Sequence, residues 1–490
     1  MEISPIKTQK FIIKLFPEIM IKGTSAKRQM VARLHGNLQR LFTRISDDIT
    51  IKKFFDKIEV VCPIEFVTEV RIKLLDTPGI ELVLEALQFD KVNTIDEIKE
   101  IVNAHMAKEI VNKSFVVRVK RSGTHDFKSI DIEQTVGGYM LNENRDLTKG
   151  VDLRNAEVTI NLELINNQLN IITLRHKGLG GFPLGSQGEI LSLMSGGFDS
   201  TVASYLTMKR GIKTHFVFFN LGGIAHEIGV KQVALYLWNK FGSSHRVTFT
   251  SIPFDDVVTE IFRSTHETYM GVTLKRLMLK AAEKIANDLK IDALLTGESV
   301  AQVSSQTLRN LALIDQSTNK LVLRPLATMN KPDIIDIANE IGTKRFAETM
   351  PEYCGVISKN PTIHGSYDRM EKESKKFDYS VLDKAVEDAI QINIDEIGED
   401  IKDIGQMEIV SDISNGKYVI IDIRQIPECI ETSCETLKIP FYKLKTEFEK
   451  LPQDKEYLFY CEKGILSQLH AQYLKDAKGF DNIKVYRPEK

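Results

Sequence analysis

What the chain lacks narrows it first. No run of about 18 apolar residues occurs, so no segment is built to cross a bilayer as a helix. Residues 1–10 are polar and mixed in charge, without the apolar core of a secretory leader, and a cytoplasmic enzyme is expected. Cysteines are few and odd in number: Cys62, Cys354, Cys429, Cys434 and Cys461. That excludes a secreted disulfide framework and fits a reducing compartment, where a single thiol is free to react. The string Gly-x4-Gly-Lys-Ser/Thr is absent, which excludes the most familiar ATP-binding loop. A formal net charge of −2 says nothing by itself about a polyanionic partner.

What is present is an ordinary globular composition, 42% hydrophobic over 490 residues, enough for about three domains. Charge is unevenly spread. Over residues 1–59 Lys and Arg outnumber Asp and Glu, while residues 381–400 are strongly acidic. The basic front could meet a nucleic acid, and the acidic stretch would avoid one.

The pattern predicts a multidomain chain of α+β and α/β parts. Strands at 11–15 and 57–61 around a helix at 24–42 form a small α+β sandwich, taken as residues 1–68. A helix at 95–111, an alternating strand at 114–120, a helix at 129–141 and a hairpin across Asn166-Asn167 form a second α+β part, residues 69–175. Glycine-rich residues 178–185 read as a hinge. From 176 to 370 strand and helix alternate, and the apolar run Thr214-His215-Phe216-Val217-Phe218-Phe219 has the character of a buried parallel strand. This is a doubly wound domain with its site at the carboxyl ends of the strands. Residues 371–408 are charged and read as a linker. Residues 409–490 form a last, small α/β unit.

The hexapeptide Ser195-Gly196-Gly197-Phe198-Asp199-Ser200 lies between the apolar strand at 189–194 and a helix. Such a turn converges backbone N–H groups at the positive end of a helix, a natural phosphate cradle. Asp199 is the odd member, since a carboxylate repels phosphate. It suggests a metal ion or a role at the leaving group. The hexapeptide resembles the pyrophosphate loop of the ATP-pyrophosphatase (PP-loop) family, whose members cleave ATP between the α and β phosphates and adenylate an oxygen.

Cys461 stands at the end of the strand Leu458-Phe459-Tyr460 and before a helix, where N–H groups stabilise a thiolate. Cys461-x-x-Gly464, with Asp422 and Arg424 on an earlier strand, resembles a rhodanese domain. Leu466 stands where rhodanese loops often carry arginine, which favours transfer from a protein donor. Val117-Arg118-Val119-Lys120-Arg121 with the hairpin resembles a THUMP domain, a module of tRNA-modifying enzymes. Adjacent helical residues diverge, so His226 and Glu227 are not expected to hold a metal.

Taken together these strings, with Phe219-Asn220-Leu221-Gly222-Gly223 and Gln302-Val303-Ser304-Ser305-Gln306-Thr307, resemble the tRNA 4-thiouridine synthetase family in its long form, ending in a rhodanese domain. The resemblance implies a ferredoxin-like N-terminal domain ahead of the THUMP domain. It implies that ATP with Mg²⁺ adenylates the 4-oxygen of uridine 8 and that sulfur from a Cys461 persulfide displaces AMP. It also implies a Cys354–Cys461 disulfide during turnover. By residue-wise match, Leu193, Met194, Ser195, Gly196, Gly197, Asp199, Ser200, Lys275, Gly297 and Gln306 are nucleotide contacts. Asp199 and Lys331 serve activation. Lys27, Arg28, Lys120 and Arg121 are expected at the tRNA. The implied partners are tRNA, a cysteine desulfurase, a thiol or thioredoxin-type reductant and, in some relatives, a thiamin sulfur-carrier protein. A homodimer is also in keeping. Two rival readings remain open at this level: a PP-loop ligase or amidotransferase acting on a small molecule, and a non-catalytic tRNA-binding sulfur carrier.

Overall fold

In this computed structural model the described residues are 7–221, 223–348, 360–397, 408–413, 417–424, 434–439, 444–461, 467, 470–471, 474–475 and 479–488. The chain forms two compact units, one of Met1–Gln187 with Lys209–Gly211, the other of Gly188–Met208 and Ile212–Lys490.

The first unit is organised on one eight-stranded sheet. Its strands are β1 (Thr8–Leu15), β2 (Thr50–Lys53), β3 (Lys57–Pro63), β4 (Ile80–Phe89), β5 (Ser114–Ser122), β6 (Gly150–Val151), β7 (Val158–Ile165) and β8 (Gln168–Gly180), in the spatial order β2-β3-β1-β4-β8-β7-β5-β6. Strand alternation sorts the side chains of β1: Phe11, Ile13 and Leu15 enter one core, while Ile12 joins Leu84, Ala86 and Ile172 in another cluster. The helix Thr24–Phe42 buries Val31, Leu34, Leu38 and Leu41, spaced to fall on one helical face. A second core gathers the helices Ile95–Met106 and Ser129–Glu143 over β5, β7 and β8. Thr94 and Glu97 close the first of these helices with a reciprocal capping box.

Two expected boundaries move. The first α+β part does not stop at residue 68, because the helix Val67–Leu75 buries Val70 and Leu74 in the first core and β4 pairs with β1. Residues 178–185 are not a hinge. β8 runs to Gly180, Phe182 and Leu184 are buried, and Asn37 Nδ2 donates to the Leu184 carbonyl at 3.0 Å.

Among its described residues the second unit carries two sheets. In the first, β9 (Glu189–Leu193), β10 (Lys213–Asn220), β11 (Thr248–Pro253), β12 (Ala293–Leu295), β13 (Leu321–Leu323) and β14 (Ile390–Asn393) lie in the order β13-β12-β9-β10-β11-β14. All pairs are parallel except β11 with β14. The order reverses between β9 and β12, which makes that crevice the switch point of a doubly wound fold. The stretch read as a linker from residue 371 belongs to this body. Its helices Tyr367–Lys376 and Tyr379–Glu387 bury Met370, Leu382 and Ala385, with Phe377 between them, in the main core, and β14 closes the sheet edge. The charge on these helices faces away from a narrow apolar stripe. The other sheet is wholly parallel: β15 (Ile409–Val410), β16 (Tyr418–Asp422), β17 (Glu435–Lys438), β18 (Glu456–Tyr460) and β19 (Ile483–Tyr486), in the order β15-β19-β18-β16-β17. Among the described residues no helix is long and apolar enough to cross a membrane.

Candidate nucleotide and sulfur sites

The hexapeptide sits at the switch point. β9 ends at Leu193, and Met194 N–H still donates to the Val217 carbonyl at 2.8 Å, so the loop leaves the sheet from a fixed edge. Gly196 takes φ +81°, a left-handed conformation that glycine adopts without a Cβ penalty. The helix Phe198–Lys209 then begins. Its first turn is tied back: Ser195 N–H donates to Ser200 Oγ at 3.2 Å, and Thr201 Oγ1 donates to the Gly197 carbonyl at 2.8 Å. Gly297, just beyond β12, is glycine for a steric reason. A Cβ there would lie 2.4 Å from the Asp199 carbonyl carbon and 2.5 Å from the Ser200 nitrogen. The segments leaving the two strands at the switch point thus touch backbone to backbone.

Asp199 is held from two directions. Lys331 Nζ lies 2.8 and 2.9 Å from its two carboxylate oxygens, and Gln302 Nε2 donates to Oδ2 at 2.9 Å. Lys331 opens the helix Lys331–Glu340, where the helix dipole disfavours a cation. Its pairing with Asp199 offsets that cost. Lys275 Nζ lies 3.5 Å from Glu298 Oε1, and Glu298 Oε2 accepts from Arg324 Nε at 2.9 Å. Burial pushes the Glu298 carboxyl up, but Lys275, Arg324 and a hydrogen bond from Thr296 Oγ1 together outweigh burial and hold it below the usual carboxylate range. Gln306 is buried, and its Oε1 has no hydrogen-bond partner among the described residues. His226 Nε2 donates to the Ser195 carbonyl at 3.3 Å. Burial lowers its pKa, and the ring packs edge-on against Phe218. Glu227 turns to Asn220 and Lys231, away from any joint metal site with His226.

Most of these groups surround one cavity of about 280 Å³, lined among others by Ser195, Asp199, Lys275, Glu298, Gln302 and Gln306. Leu193, Met194, Gly197, Ser200 and Gly297 also line it. Lys331 meets this wall through Asp199. Asp199 and Gln302 are 103 positions apart in the chain and meet because the strand order brings β9 and β12 together. Sequence pattern does not single out Glu298, Gln302 or Arg324 as site residues. The available signals are a carboxylate following the glycine at the end of β12 and a glutamine within a family-like string.

The candidate sulfur site lies at a strand end in the last sheet. Cys461 follows β18, is buried, and accepts from Ser467 N–H at 3.4 Å, with Ser467 Oγ 3.3 Å away. At the end of the neighbouring β16, Arg424 forks onto Asp422, at 3.0 and 2.9 Å, and lies over the Tyr460 ring. Cys434 is buried beside the Ile413 carbonyl. Cys62 is buried in the first unit, where burial pushes its thiol up to about 11. Cys354, Cys429 and residues 462–466 lie outside the described residues. One helix, Gly223–Leu237, runs between the two regions: His226 reaches the phosphate loop, and Gln232 Nε2 lies 3.4 Å from His470 Nε2.

Of the basic residues expected at RNA, Arg28 and Lys120 are exposed. Arg121 donates to the Gly123 carbonyl at 3.2 Å and lies 2.9 Å from His125 Nδ1. Lys27 does not fit that expectation. It is only 5% exposed, with Nζ 3.9 Å from the centre of the Phe55 ring, so it is committed to packing.

This geometry can be set beside known proteins. Three family profiles match: one described as thiamine biosynthesis protein (ThiI) over residues 185–379, the THUMP domain over 92–174, and the rhodanese-like domain over 407–487. A tRNA sulfurtransferase of Aeromonas hydrophila is 48% identical over 98% of this chain and 100% of its own. One from Escherichia coli is 46% identical over the same shares. The chain belongs to the tRNA sulfurtransferase family. Its fold also matches solved structures. A 4-thiouridine synthetase in complex with RNA and bound ATP aligns with TM-score 0.71 at 24% identity, over 79% of this chain and 100% of that one. A protein from Pyrococcus horikoshii aligns with TM-score 0.52 at 19% identity, over 68% of this chain and 99% of its own. Family and fold therefore agree on a THUMP part, a doubly wound PP-loop part and a rhodanese-like part in this order.

Proposed function

We propose that this sulfurtransferase makes 4-thiouridine in tRNA in two stages: ATP-driven activation at the Ser195 loop, then sulfur delivery from Cys461. The observation that carries the reading is the Asp199–Lys331 pair, lodged against the phosphate loop at the switch point. In the first stage the 4-oxygen of a uridine, expected at position 8, attacks the α-phosphorus of ATP and pyrophosphate leaves. The loop N–H groups hold phosphate oxygens, and Lys331 offsets charge growing on the phosphorus. Lys275 and Gln306 line the same cavity as further nucleotide contacts.

Asp199 would be the carboxylate to meet a magnesium ion arriving with the nucleotide, once Lys331 turns from it to the phosphates. Such an ion would neutralise phosphate charge. The nearby Glu298 carboxylate is already committed to Lys275 and Arg324.

In the second stage the terminal sulfur of a Cys461 persulfide attacks C4 of the activated base and AMP leaves. The product is a C4–S–S–Cys461 mixed disulfide. Cys354 thiolate then attacks Cys461 Sγ, the S–S bond breaks, sulfur stays on C4, and a Cys354–Cys461 disulfide forms. A thiol or thioredoxin-type reductant reopens it. A cysteine desulfurase would load the persulfide, in keeping with Leu466 standing where rhodanese loops often carry arginine. The name of the profile matched over residues 185–379 favours a second outlet, to a sulfur-carrier protein in thiamin synthesis.

Lys120 in the THUMP part and Arg28 in the N-terminal part, both exposed, are the expected tRNA contacts, in keeping with the RNA-bound structure to which the fold is similar. A homodimer would let one subunit bind tRNA and present its acceptor end to the other. The deciding test is mass spectrometry of tRNA nucleosides from a deletion strain. Loss of 4-thiouridine and its return with the wild-type gene are expected. Unchanged 4-thiouridine with no second enzyme present would sink the reading.

A further inference from the structure

Asp199 needs more than a cation to orient it. In the structure Lys331 contacts both of its oxygens, yet an ammonium beside a phosphate loop is also attracted to an incoming phosphate. Once Lys331 turns to the nucleotide, the carboxylate loses that ionic hold, and a metal ion arriving with the nucleotide would meet a carboxylate free to swing toward water. A neutral donor has neither problem. It does not cancel the charge of Asp199, and phosphate attracts it far less than it attracts an ammonium.

Gln302 is such a donor. Its Nε2 lies 2.9 Å from Asp199 Oδ2, and because an ionised carboxylate only accepts, the amide must present nitrogen to it. The turn that carries Gln302 is closed on itself. Ala301 N–H donates to the Gln306 carbonyl at 3.0 Å, Gln302 N–H to the Ser299 carbonyl at 3.3 Å, and Gln306 N–H to the Val303 carbonyl at 2.9 Å. It is also pinned outward, by Val300 N–H to the Ala327 carbonyl at 3.0 Å and Ser299 Oγ to the Met329 carbonyl at 2.9 Å. Closing it places Ala301 at φ +66°, in the left-handed region that non-glycine residues avoid. Strain of this kind persists where the surroundings over-determine it, and it clusters at functional sites. The same turn brings Gln306 into the cavity, so one rigid piece of backbone delivers two glutamines to one site.

We propose that Gln302 is a positioning residue for the activation step, acting through Asp199: it keeps the carboxylate in place while Lys331 is drawn to the nucleotide. This rests on the adenylation reading above.

The test measures tRNA-dependent release of pyrophosphate from ATP by the full chain. Gln302→Met keeps length and removes the donor. Its kcat is expected to fall roughly tenfold to a hundredfold, the loss typical of one hydrogen bond to a charged group, with KM for ATP within about threefold. Gln302→Glu keeps the shape and sets a like charge against Asp199, and should lose more. Thermal unfolding of both should match the wild type. In single-turnover assays with enzyme in excess, Asp199→Asn with Gln302→Met should be no slower than Asp199→Asn alone, because the two act as one unit. A wild-type rate in either single variant overturns the proposal. So does a loss that appears in KM alone, or losses that multiply in the double variant. Should the wild-type chain release no pyrophosphate with tRNA present, the adenylation reading itself fails and takes this one with it.

Discussion

The loop after β9 and the residues after β18 start from the same device. Each follows the carboxyl end of a parallel strand: the Ser195 loop leads into the helix Phe198–Lys209, and Cys461 is met by the Ser467 N–H. They differ in what is set around that device. At Asp199 the surroundings are charged and paired: an ammonium, a carboxylate and an amide converge from three separate segments beside an open cavity. At Cys461 the thiol is 6% exposed, and its described polar contacts come from Ser467. The lesson is that the end of a parallel strand is a generic place for a site. What it can hold is set by the side chains brought in from elsewhere and by how much water reaches them.

The sharpest way to break this division of labour is to disable each centre in turn. Asp199→Ala is expected to slow tRNA-dependent pyrophosphate release on the order of a thousandfold while Cys461 still accepts labelled sulfur. Cys461→Ala should do the reverse, ending thiolation with pyrophosphate release intact. Loss of both activities in either variant would mean the centres are not separable. Next in size, Gly297→Ala forces a methyl into the backbone of Asp199 and Ser200. It should cost about 1–3 kcal/mol of stability by thermal or urea unfolding and depress pyrophosphate release, leaving sulfur loading unchanged. At the other centre, Ser467→Ala removes the hydroxyl but keeps the N–H. Persulfide formation should slow by about threefold to tenfold, the worth of one ordinary hydrogen bond.

The smallest effect is a pH dependence that belongs to the body holding the first centre. His226 and His215 are buried with pKa values lowered mainly by desolvation, so both are neutral in the folded chain at neutral pH. The unfolded chain binds more protons than the folded one once pH drops below about 6.5. Stability contributed by the neutral rings is therefore complete above that pH and is lost as pH falls through it toward the lowered values. His226→Gln should flatten the acid limb of a stability–pH curve measured by urea unfolding. An unchanged limb would show that His226 has no part in it.

Much of this was legible in the chain. The helix at 24–42, the strand at 57, the hairpin at Asn166-Asn167 and the hexapeptide between strand and helix all appear where local pattern puts them. Their signals are short-range: side-chain periodicity, glycine, and residues with turn chemistry. The misreadings share a cause. Residues 371–397 looked like a linker because their exposed charge outnumbers the few buried positions, among them Phe377, Leu382 and Ala385, that lock them to the core. Residues 178–185 looked like a hinge because glycines suggest freedom, whereas Phe182 is buried in the first core. Lys27 looked like an RNA contact because a lysine on a basic helix normally faces water, and only the placement of Phe55 against it decides otherwise.

Sequence alone determined the kinds of element and brought forward the Ser195 loop and Cys461 as candidates, because backbone preference and side-chain chemistry are properties of neighbours along the chain. Tertiary structure decided which residues gather at those centres. Lys331, Gln302 and Glu298 come to the Ser195 loop through a strand order that sets β12 beside β9, and Gly297 is required only because the segments leaving those strands meet. Convergence of that sort depends on distances in space, and no local pattern in the chain encodes them.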